Sequence, residues 1–294
     1  MNTVVRAALV WAAVVLAGTP AWAKRSADGG WGYLIDKLAA DGVDRARVVA
    51  VFRDPRVGDF EGLQFGLVRS GEPHRLYRGF LRPASVADAR RCRALYDREL
   101  RAAQERFGVP ASVVAAILHV ETRCGRVTGK HVVFRRVARL AMADEPANVR
   151  WNIARHRKGV PRARVPDVER RVRQRAGELA GVFYPEVLSM FALADRTGVD
   201  PLAVRGSGSG AFGMPQFLPS SYLRFAVDGD GDGRVSLYDP PDAIASAANY
   251  LARHGWRPGL THAQQRQVIW AYNHSDPYID TVLALAAELE RSHR

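Results

Sequence analysis

The middle of the chain contains the stretch ASVVAAILHVET at residues 111–122, and this stretch decides the fold class. It is apolar on nearly every side, and the preceding Pro110 suits a helix start, so the stretch predicts a buried helix. On one face of that helix, positions i, i+3, i+4 and i+7 are occupied by Val114, Ile117, Leu118 and Glu121. A carboxylate is therefore expected to project from the face that packs into the core.

Glu121 combines two features of a general acid. Burial disfavours the charged form of a carboxylate, and the last turn of a helix places it beside the negative end of the helix dipole. Both effects favour the protonated acid, which suits proton donation at neutral pH. The alternative is a structural ion pair between Glu121 and Arg123 or Arg126.

Helical patterns continue on both sides of this stretch. Upstream, apolar spacing predicts a helical hairpin over residues 31–53, and one amphipathic helix from a capping box at Ser85 and Asp88 to Gly108. Residues 56–83 predict an extended connection that runs over the surface. Downstream helices are predicted at 183–193, from Pro219, and at 242–254, 261–273 and 278–290. Strand alternation is almost absent, so the fold class is predicted to be mainly α.

Composition limits the class of protein. The chain has 294 residues, of which 47% are hydrophobic and 25% charged, so it can bury a core. Its formal net charge of +13 favours an anionic partner such as nucleic acid, a membrane surface or an acidic polymer. The long apolar run at residues 7–17 is too short to cross a bilayer as a helix, which excludes a polytopic membrane protein.

Residues 1–23 have the pattern of a secretory signal peptide. Arg6 supplies the positive region, residues 7–17 the apolar region, and Ala21-Trp22-Ala23 the cleavage site, which predicts cleavage after Ala23 and a periplasmic protein. An uncleaved anchor is the alternative. Export disfavours nucleic acid and favours an acidic envelope polymer, so we expect no nucleic-acid partner and no stable membrane anchor.

Two cysteines, Cys92 and Cys124, follow this leader. An oxidising compartment permits them to pair, and two free buried thiols are the alternative. The sequence leaves both possibilities open.

The stretch DGDGDGRVSLYD at residues 228–239 has the spacing of a calcium loop. Aspartate occupies positions 1, 3 and 5, glycine position 6 and an aliphatic residue position 8, as in an EF-hand. A solvated acidic turn is the alternative. Position 12 is Asp239, shorter than the usual glutamate, and Asp242 is a rival closing ligand. A lone copy predicts structural Ca²⁺ rather than a signalling switch.

Two polar segments, residues 206–216 and 272–275, supply neutral hydrogen-bonding groups. Glycine-rich backbone allows close approach to a ligand, and Gln, Asn, Ser and Tyr side chains suit sugar hydroxyl and acetamido groups. Taken singly, each segment is equally compatible with a loop or a cap.

Residues 135–175 carry 13 Lys or Arg against four acids, a local charge of +9. Exposed charges usually interact weakly with fixed partners. The stretch is therefore either a solvated face or a contact surface for polymer.

These motifs, taken in order, resemble the B-type lytic murein transglycosylases. The matching segments are ETRCGR at 121–126, AFGMPQFLPSSY at 211–222, the loop from Asp228, DPPDAIASAANYL at 239–251, HGW at 254–256 and AYNHS at 271–275. The sequence departs from the family in its basic 135–175 stretch and in the short segment after Trp256.

The resemblance implies a mainly α fold, α+β at most, with a lysozyme-like helical core and accessory N-terminal and inserted helices. It implies an N-terminal segment at 24–84 packed on the core, and a core at 85–294 with a basic insertion at about 130–180. It also implies that Glu121 is catalytic. The implied sugar contacts are Ser207, Gln216, Tyr250, Asn273 and Tyr278. The implied calcium ligands are Asp228, Asp230, Asp232, the Arg234 carbonyl and Asp242.

The implied activity is that of a lyase that cleaves the β-1,4 bond between MurNAc and GlcNAc in peptidoglycan. Intramolecular transglycosylation would leave 1,6-anhydroMurNAc ends. The implied partners are glycan strands, with other cell-wall enzymes as a further candidate. Two alternatives stay open, a hydrolytic muramidase and a noncatalytic, calcium-stabilised peptidoglycan-binding module.

Overall fold

The computed structural model describes residues 28–68 and 73–291; the predicted signal peptide lies outside them. These residues form twelve α-helices. The helices are α1 (Gly32–Ala40), α2 (Arg45–Arg53), α3 (Pro83–Leu95), α4 (Asp97–Phe107), α5 (Ala111–Thr122), α6 (Val133–Ala141), α7 (Pro146–His156), α8 (Val165–Thr197), α9 (Pro219–Phe225), α10 (Pro240–Arg253), α11 (His262–Tyr272) and α12 (Asp276–Arg291).

Strand structure is confined, within the described residues, to one short antiparallel pair. β1 (His131–Val132) lies beside β2 (Arg205–Gly206), with His131 opposite Gly206. Short 3₁₀ turns occur at His74–Leu76, Arg78–Leu81, Met142–Asp144 and Arg162–Arg164. The prediction of a mainly α fold is confirmed.

Helix α5 lies at the centre of the fold. All of its residues except Glu121 are buried, because it is apolar on nearly every side. Helices α3, α4, α10 and α12 pack around it, while α6, α7 and α9 pack on the long helix α8. The predicted buried helix at 111–122 is therefore confirmed, and its single half-buried polar residue is the predicted acid.

Aromatic contacts join the N-terminal helices to the rest of the core. The ring of Phe52 lies 5.1 Å from that of Trp31 and 5.3 Å from that of Phe134, and the Phe134 ring lies 5.5 Å from that of Phe191. Such ring pairs add to the area that the side chains bury. These aromatic contacts therefore connect α1 and α2 to α8 through α6.

The prediction of one amphipathic helix that ends at Gly108 is wrong in two details. Tyr96 leaves the helical conformation, so the segment is divided into α3 and α4. Ser85 does not cap a helix, because α3 already begins at Pro83; its hydroxyl lies 2.9 Å from Nε2 of His119 instead. The predicted end is confirmed, since Gly108 takes a left-handed φ of 70°.

The connection at 56–83 was expected to run over the surface, and this was wrong for part of it. Phe60, Leu63 and Phe65 are buried in the core. The backbone of Leu63 is held by two buried side chains: its N–H donates to Oδ1 of Asn148 at 2.8 Å, and its carbonyl accepts from Nδ2 of Asn152 at 2.9 Å. These side-chain amides supply the hydrogen-bond partners that the backbone of a buried extended segment would otherwise lack.

None of the helices in the described part of the chain is long and apolar enough to cross a membrane.

Candidate active site

Glu121 lies in the last turn of α5, just before the backbone reverses. Arg123 and Cys124 both take left-handed conformations, with φ of 51° and 58°, and this ends the helix. The hydroxyl of Thr122 donates to the Met214 carbonyl at 2.9 Å and accepts from the Gly125 N–H at 2.9 Å. The turn that carries the acid is therefore joined to Met214, the residue directly after the glycine-rich segment 205–213.

A tyrosine from the C-terminal helix contacts the acid directly. The hydroxyl of Tyr278, on α12, donates a 2.7 Å hydrogen bond to Oε1 of Glu121. Burial raises the pKa of Tyr278 well above its usual value, and the nearby negative charge of Glu121 acts in the same direction. Tyr278 is therefore a hydrogen-bond donor at any physiological pH.

Glu121 opens onto a narrow cleft. Its other walls are neutral: Phe183, Ser209, Ala211, Gln216, Phe217, Leu218, Ser221, Tyr250 and Tyr272. Among the described residues that line it, Glu121 is the single ionisable carboxylate. An aromatic and hydroxyl-rich cleft around one acid suits an uncharged, hydrogen-bonding ligand.

The glycine-rich segment forms one wall because its glycines allow close backbone contacts. A Cβ on Gly206 would lie 2.1 Å from the Ala211 carbonyl oxygen, which no other residue type could accept. The hydroxyl of Ser207 accepts from the N–H groups of Ser209 and Ala211 at 3.3 and 3.1 Å. Gln216 takes a φ of 52°, and its side-chain amide donates to the Thr128 carbonyl at 3.1 Å.

A buried acid, Glu186, lies on α8 three residues after Phe183 of the cleft but has a different role. Its two carboxylate oxygens accept from the N–H and the hydroxyl of Ser220 at 2.8 and 2.7 Å, at the start of α9. Burial raises the pKa of Glu186, while the bonds from Ser220 oppose that rise. Glu186 therefore anchors α9 and leaves Glu121 as the acid of the cleft.

The acidic loop gathers three carboxylates at one point. Oxygens of Asp228, Asp230 and Asp242 all lie within 4.8 Å of one another. Asp242 is buried, and burial raises its pKa, with further increases from Asp230 and Asp228. Three hard oxygen donors this close suit Ca²⁺, which would remove their mutual repulsion. Between the two predicted closing ligands, the geometry groups Asp242, and not Asp239, with the loop aspartates.

The comparisons with known proteins identify the family of the chain. Residues 33–267 match a family model described as the transglycosylase SLT domain. The chain belongs to the SLT transglycosylase family. The match ends before Tyr272 and Tyr278, so these two residues of the cleft lie outside the matched part of the SLT domain.

Relatives of this SLT transglycosylase chain support the same fold. The chain is 35% identical over 164 residues to membrane-bound lytic murein transglycosylase B of Escherichia coli strain K12, a match that covers 56% of this chain and 37% of that protein.

Two solved structures cover almost the whole chain. The E. coli lytic transglycosylase Slt35 in complex with calcium is 25% identical, with a TM-score of 0.64 over 90% of this chain and 93% of that one. Soluble lytic transglycosylase SltB1 of Pseudomonas aeruginosa is 22% identical, with a TM-score of 0.66 over 90% and 99% of the two chains.

The predicted sugar contacts of the SLT transglycosylase site occupy different places. Gln216 and Tyr250 line the cleft with Glu121, and Tyr278 is bonded to it. Ser207 shapes the glycine-rich segment from within. Asn273 is buried, and its Nδ2 has no hydrogen-bond partner among the described residues.

Several residues of the cleft were not predicted. Tyr272 lines it and donates to the Pro215 carbonyl at 2.6 Å, and Ser209 and Ser221 also contribute to the walls. Ser209 and Tyr272 lie inside the polar segments 206–216 and 272–275, although neither was predicted as an individual sugar contact. Ser221 lies outside both, in the family-like segment 211–222.

The structure also bears on two open alternatives near Glu121. Arg126 forms an ion pair with the carboxylate of Asp88, at 3.3 Å. One oxygen of Glu121 accepts its hydrogen bond from Tyr278. Cys92 and Cys124 form a disulfide that ties α3 to the turn after the acid.

Proposed function

We propose that the protein cleaves the β-1,4 bond between MurNAc and GlcNAc in peptidoglycan by intramolecular transglycosylation and leaves 1,6-anhydroMurNAc ends. The observation that carries this proposal is a single acid, Glu121, held by Tyr278 in a cleft whose other described walls are neutral. The names of its relatives, lytic transglycosylases, point to the same activity.

Glu121 would first act as a general acid and protonate the oxygen that leaves the broken bond. The sugar then develops oxocarbenium-like character. Glu121, now a carboxylate, would take the proton from the C6 hydroxyl of the same MurNAc while that oxygen closes the anhydro ring. The attacking group belongs to the substrate, so one carboxylate can serve both steps.

Tyr278 would hold the carboxylate in place during this exchange, because its hydroxyl is fixed by burial and keeps its proton. Gln216, Tyr250 and Asn273 supply the neutral groups that would bind sugar hydroxyl and acetamido groups. Ser207 would contribute indirectly, because its hydroxyl holds the shape of the glycine-rich wall of the cleft.

The acidic loop would hold structural Ca²⁺ through Asp228, Asp230, Asp232, the Arg234 carbonyl and Asp242. The clustering of Asp228, Asp230 and Asp242 supports three of these ligands, and a similar structure contains calcium. Calcium would neutralise the loop before α10, the helix that carries Tyr250 into the cleft.

A periplasmic location follows from the proposed substrate together with the predicted export signal. The expected partners there are the glycan strands and other enzymes of the cell wall. The domain division at residues 24–84 and 85–294, with the insertion at about 130–180, is part of the same proposal.

The decisive experiment is mass spectrometry of fragments released from purified sacculi. Intramolecular transfer leaves the summed mass of the fragments unchanged, whereas a hydrolytic muramidase adds one water for each bond cut. Fragments that carry the added water would overturn the proposal in favour of hydrolysis. Binding without any fragments would indicate a noncatalytic module.

A further inference from the structure

A cluster of positive side chains lies beside the cleft and takes no part in the proposed chemistry. This rim cluster consists of Lys130, just before β1, and Arg135, Arg136 and Arg139 in α6. Arg136 and Arg139 are three residues apart, and Arg135 and Arg139 four, so their side chains share one side of α6.

Hydrogen bonds join this cluster to the cleft wall. Nε of Arg136 donates to the Gly208 carbonyl at 2.6 Å, and the next residue, Ser209, lines the cleft with Glu121. Gln216, another lining residue, donates to the Thr128 carbonyl, two residues before Lys130. Arg136 and Lys130 therefore adjoin the wall of the cleft, and Arg135 and Arg139 lie close enough to act on Arg136 from the same helix.

The arginines of the cluster form no ion pair with a described carboxylate. Arg136 and Arg139 donate to the carbonyls of Gly208 and Gly62 instead, and Glu61 attracts Arg139 from farther away. Burial and the neighbouring guanidinium groups lower the pKa of Arg136. Like charges held this closely destabilise one another, so an anion placed among them would be bound favourably.

We propose that the rim cluster binds carboxylates of the peptide stem that a MurNAc in the cleft carries. This inference rests on the proposed function, because peptidoglycan is a neutral glycan whose stems supply anionic groups. The neutral cleft would bind the sugars, while the cluster at its rim would select strands that still carry stems. Guanidinium groups suit this role, since they pair with carboxylates through two parallel hydrogen bonds.

Arg135 is the residue to change. It is exposed, and no described residue accepts a hydrogen bond from its side chain, so its substitution leaves the wall of the cleft intact. Arg171→Glu is the matched control: Arg171 is exposed on α8, twelve residues before Phe183 of the cleft, or about 18 Å along the helix axis. Both variants change the net charge equally.

The test measures calorimetric binding of a GlcNAc–MurNAc disaccharide, with and without its peptide stem, to protein that also carries Glu121→Gln. Arg135→Glu is expected to weaken binding of the stem-bearing disaccharide about three- to fivefold, the size that a partly exposed ion pair supports, and to spare the stemless one. Arg171→Glu is expected to change neither. The stem-dependent difference should shrink at high salt because exposed charges are screened.

Equal weakening of both ligands by Arg135→Glu would overturn the inference, and so would no weakening of either. Cleavage of stem-bearing and stem-free strands by the otherwise unchanged protein is measured in parallel. If neither is cleaved, the proposed activity fails while the binding assay still decides the inference. If both are cleaved but Arg135→Glu has no effect on binding, only the inference fails.

Discussion

The hydroxyl of Tyr278 donates a 2.7 Å hydrogen bond to the carboxylate of Glu121, across 157 residues of sequence. This bond joins α5 to α12 at the candidate catalytic acid. The edge of the Tyr77 ring packs on Tyr278, with ring centroids 5.9 Å apart, so a third segment of the chain restrains the same tyrosine. The position of the acid therefore depends on three separate parts of the chain.

Replacing Glu121 with Gln is expected to lower turnover at least about a hundredfold, because general acid–base catalysis typically supplies ~10² to 10⁴ in rate. The amide keeps the size of the side chain and can still accept from Tyr278. Folding and glycan binding should therefore persist, as checked by circular dichroism and sacculus pull-down. Retention of more than about a tenth of the turnover would contradict the role of Glu121.

Tyr278→Phe is expected to lower kcat about 10- to 100-fold with little change in KM, because a hydrogen bond to a charged group contributes ~1.5–3 kcal/mol. The matched control is Tyr184→Phe. Tyr184 follows Phe183 of the cleft in the sequence, but it does not line the cleft, and its hydroxyl donates to a different carboxylate, that of Asp41, at 2.7 Å. If the two variants lose kcat equally, the effect is a general loss of packing and not a property of the Glu121 contact.

Calcium is expected to raise the melting temperature, and a chelator to lower it, since the unfolded chain cannot gather the same ligands. At a hundredfold excess over Kd the stabilisation would be about 2.7 kcal/mol. Asp228→Ala and Asp242→Ala should abolish the response. Asp239→Ala, which removes a carboxylate outside the cluster, should preserve it; a thermal response lost in all three variants would refute the ligand set.

Removing the disulfide with Cys92→Ser and Cys124→Ser is expected to lower the free energy of unfolding by about 3–4 kcal/mol, as the loop-entropy relation gives for a separation of 32 residues. Chemical denaturation measures the change. A reductant should bring the unsubstituted protein to the same midpoint and leave the double variant unaffected. Identical midpoints for both proteins without reductant would contradict the expected stabilisation.

Stability is expected to fall as pH drops from about 7 to 5, in part because of His119. Burial lowers the pKa of His119 in the folded protein, while the unfolded chain takes up a proton near pH 6.5. The unfolded state therefore binds more protons in this window, and the free energy of unfolding decreases by up to about 1.4 kcal/mol per pH unit. The half-buried His254 contributes with the same sign, since burial also lowers its pKa.

Denaturation at several pH values checks this dependence. His119→Gln should flatten it, while the exposed His262→Gln serves as the matched control and should leave it unchanged. Equal pH dependence in both variants would show that His119 is not responsible.

The sequence alone determined the features that rest on local pattern. Residues 111–122 are apolar on nearly every side, so their burial as a helix and the position of Glu121 in its last turn follow from composition and period. The aspartates at 228, 230 and 232 lie at fixed short spacing, so the loop could be predicted from that spacing. Gly108 ends its helix because glycine adopts left-handed φ without steric cost.

Tertiary structure decided what depends on segments that are distant in sequence. Tyr96 breaks a helix that its apolar stripe favoured, Leu63 is buried because Asn148 and Asn152 satisfy its backbone, and Ser85 contacts His119 instead of capping a helix. The pairing of Cys92 with Cys124, the choice of Asp242 over Asp239 and the bond from Tyr278 to Glu121 belong to the same class. Local periodicity reports which face of an element is apolar, but it carries no information on which other element meets that face. Such contacts exist only once the chain has packed.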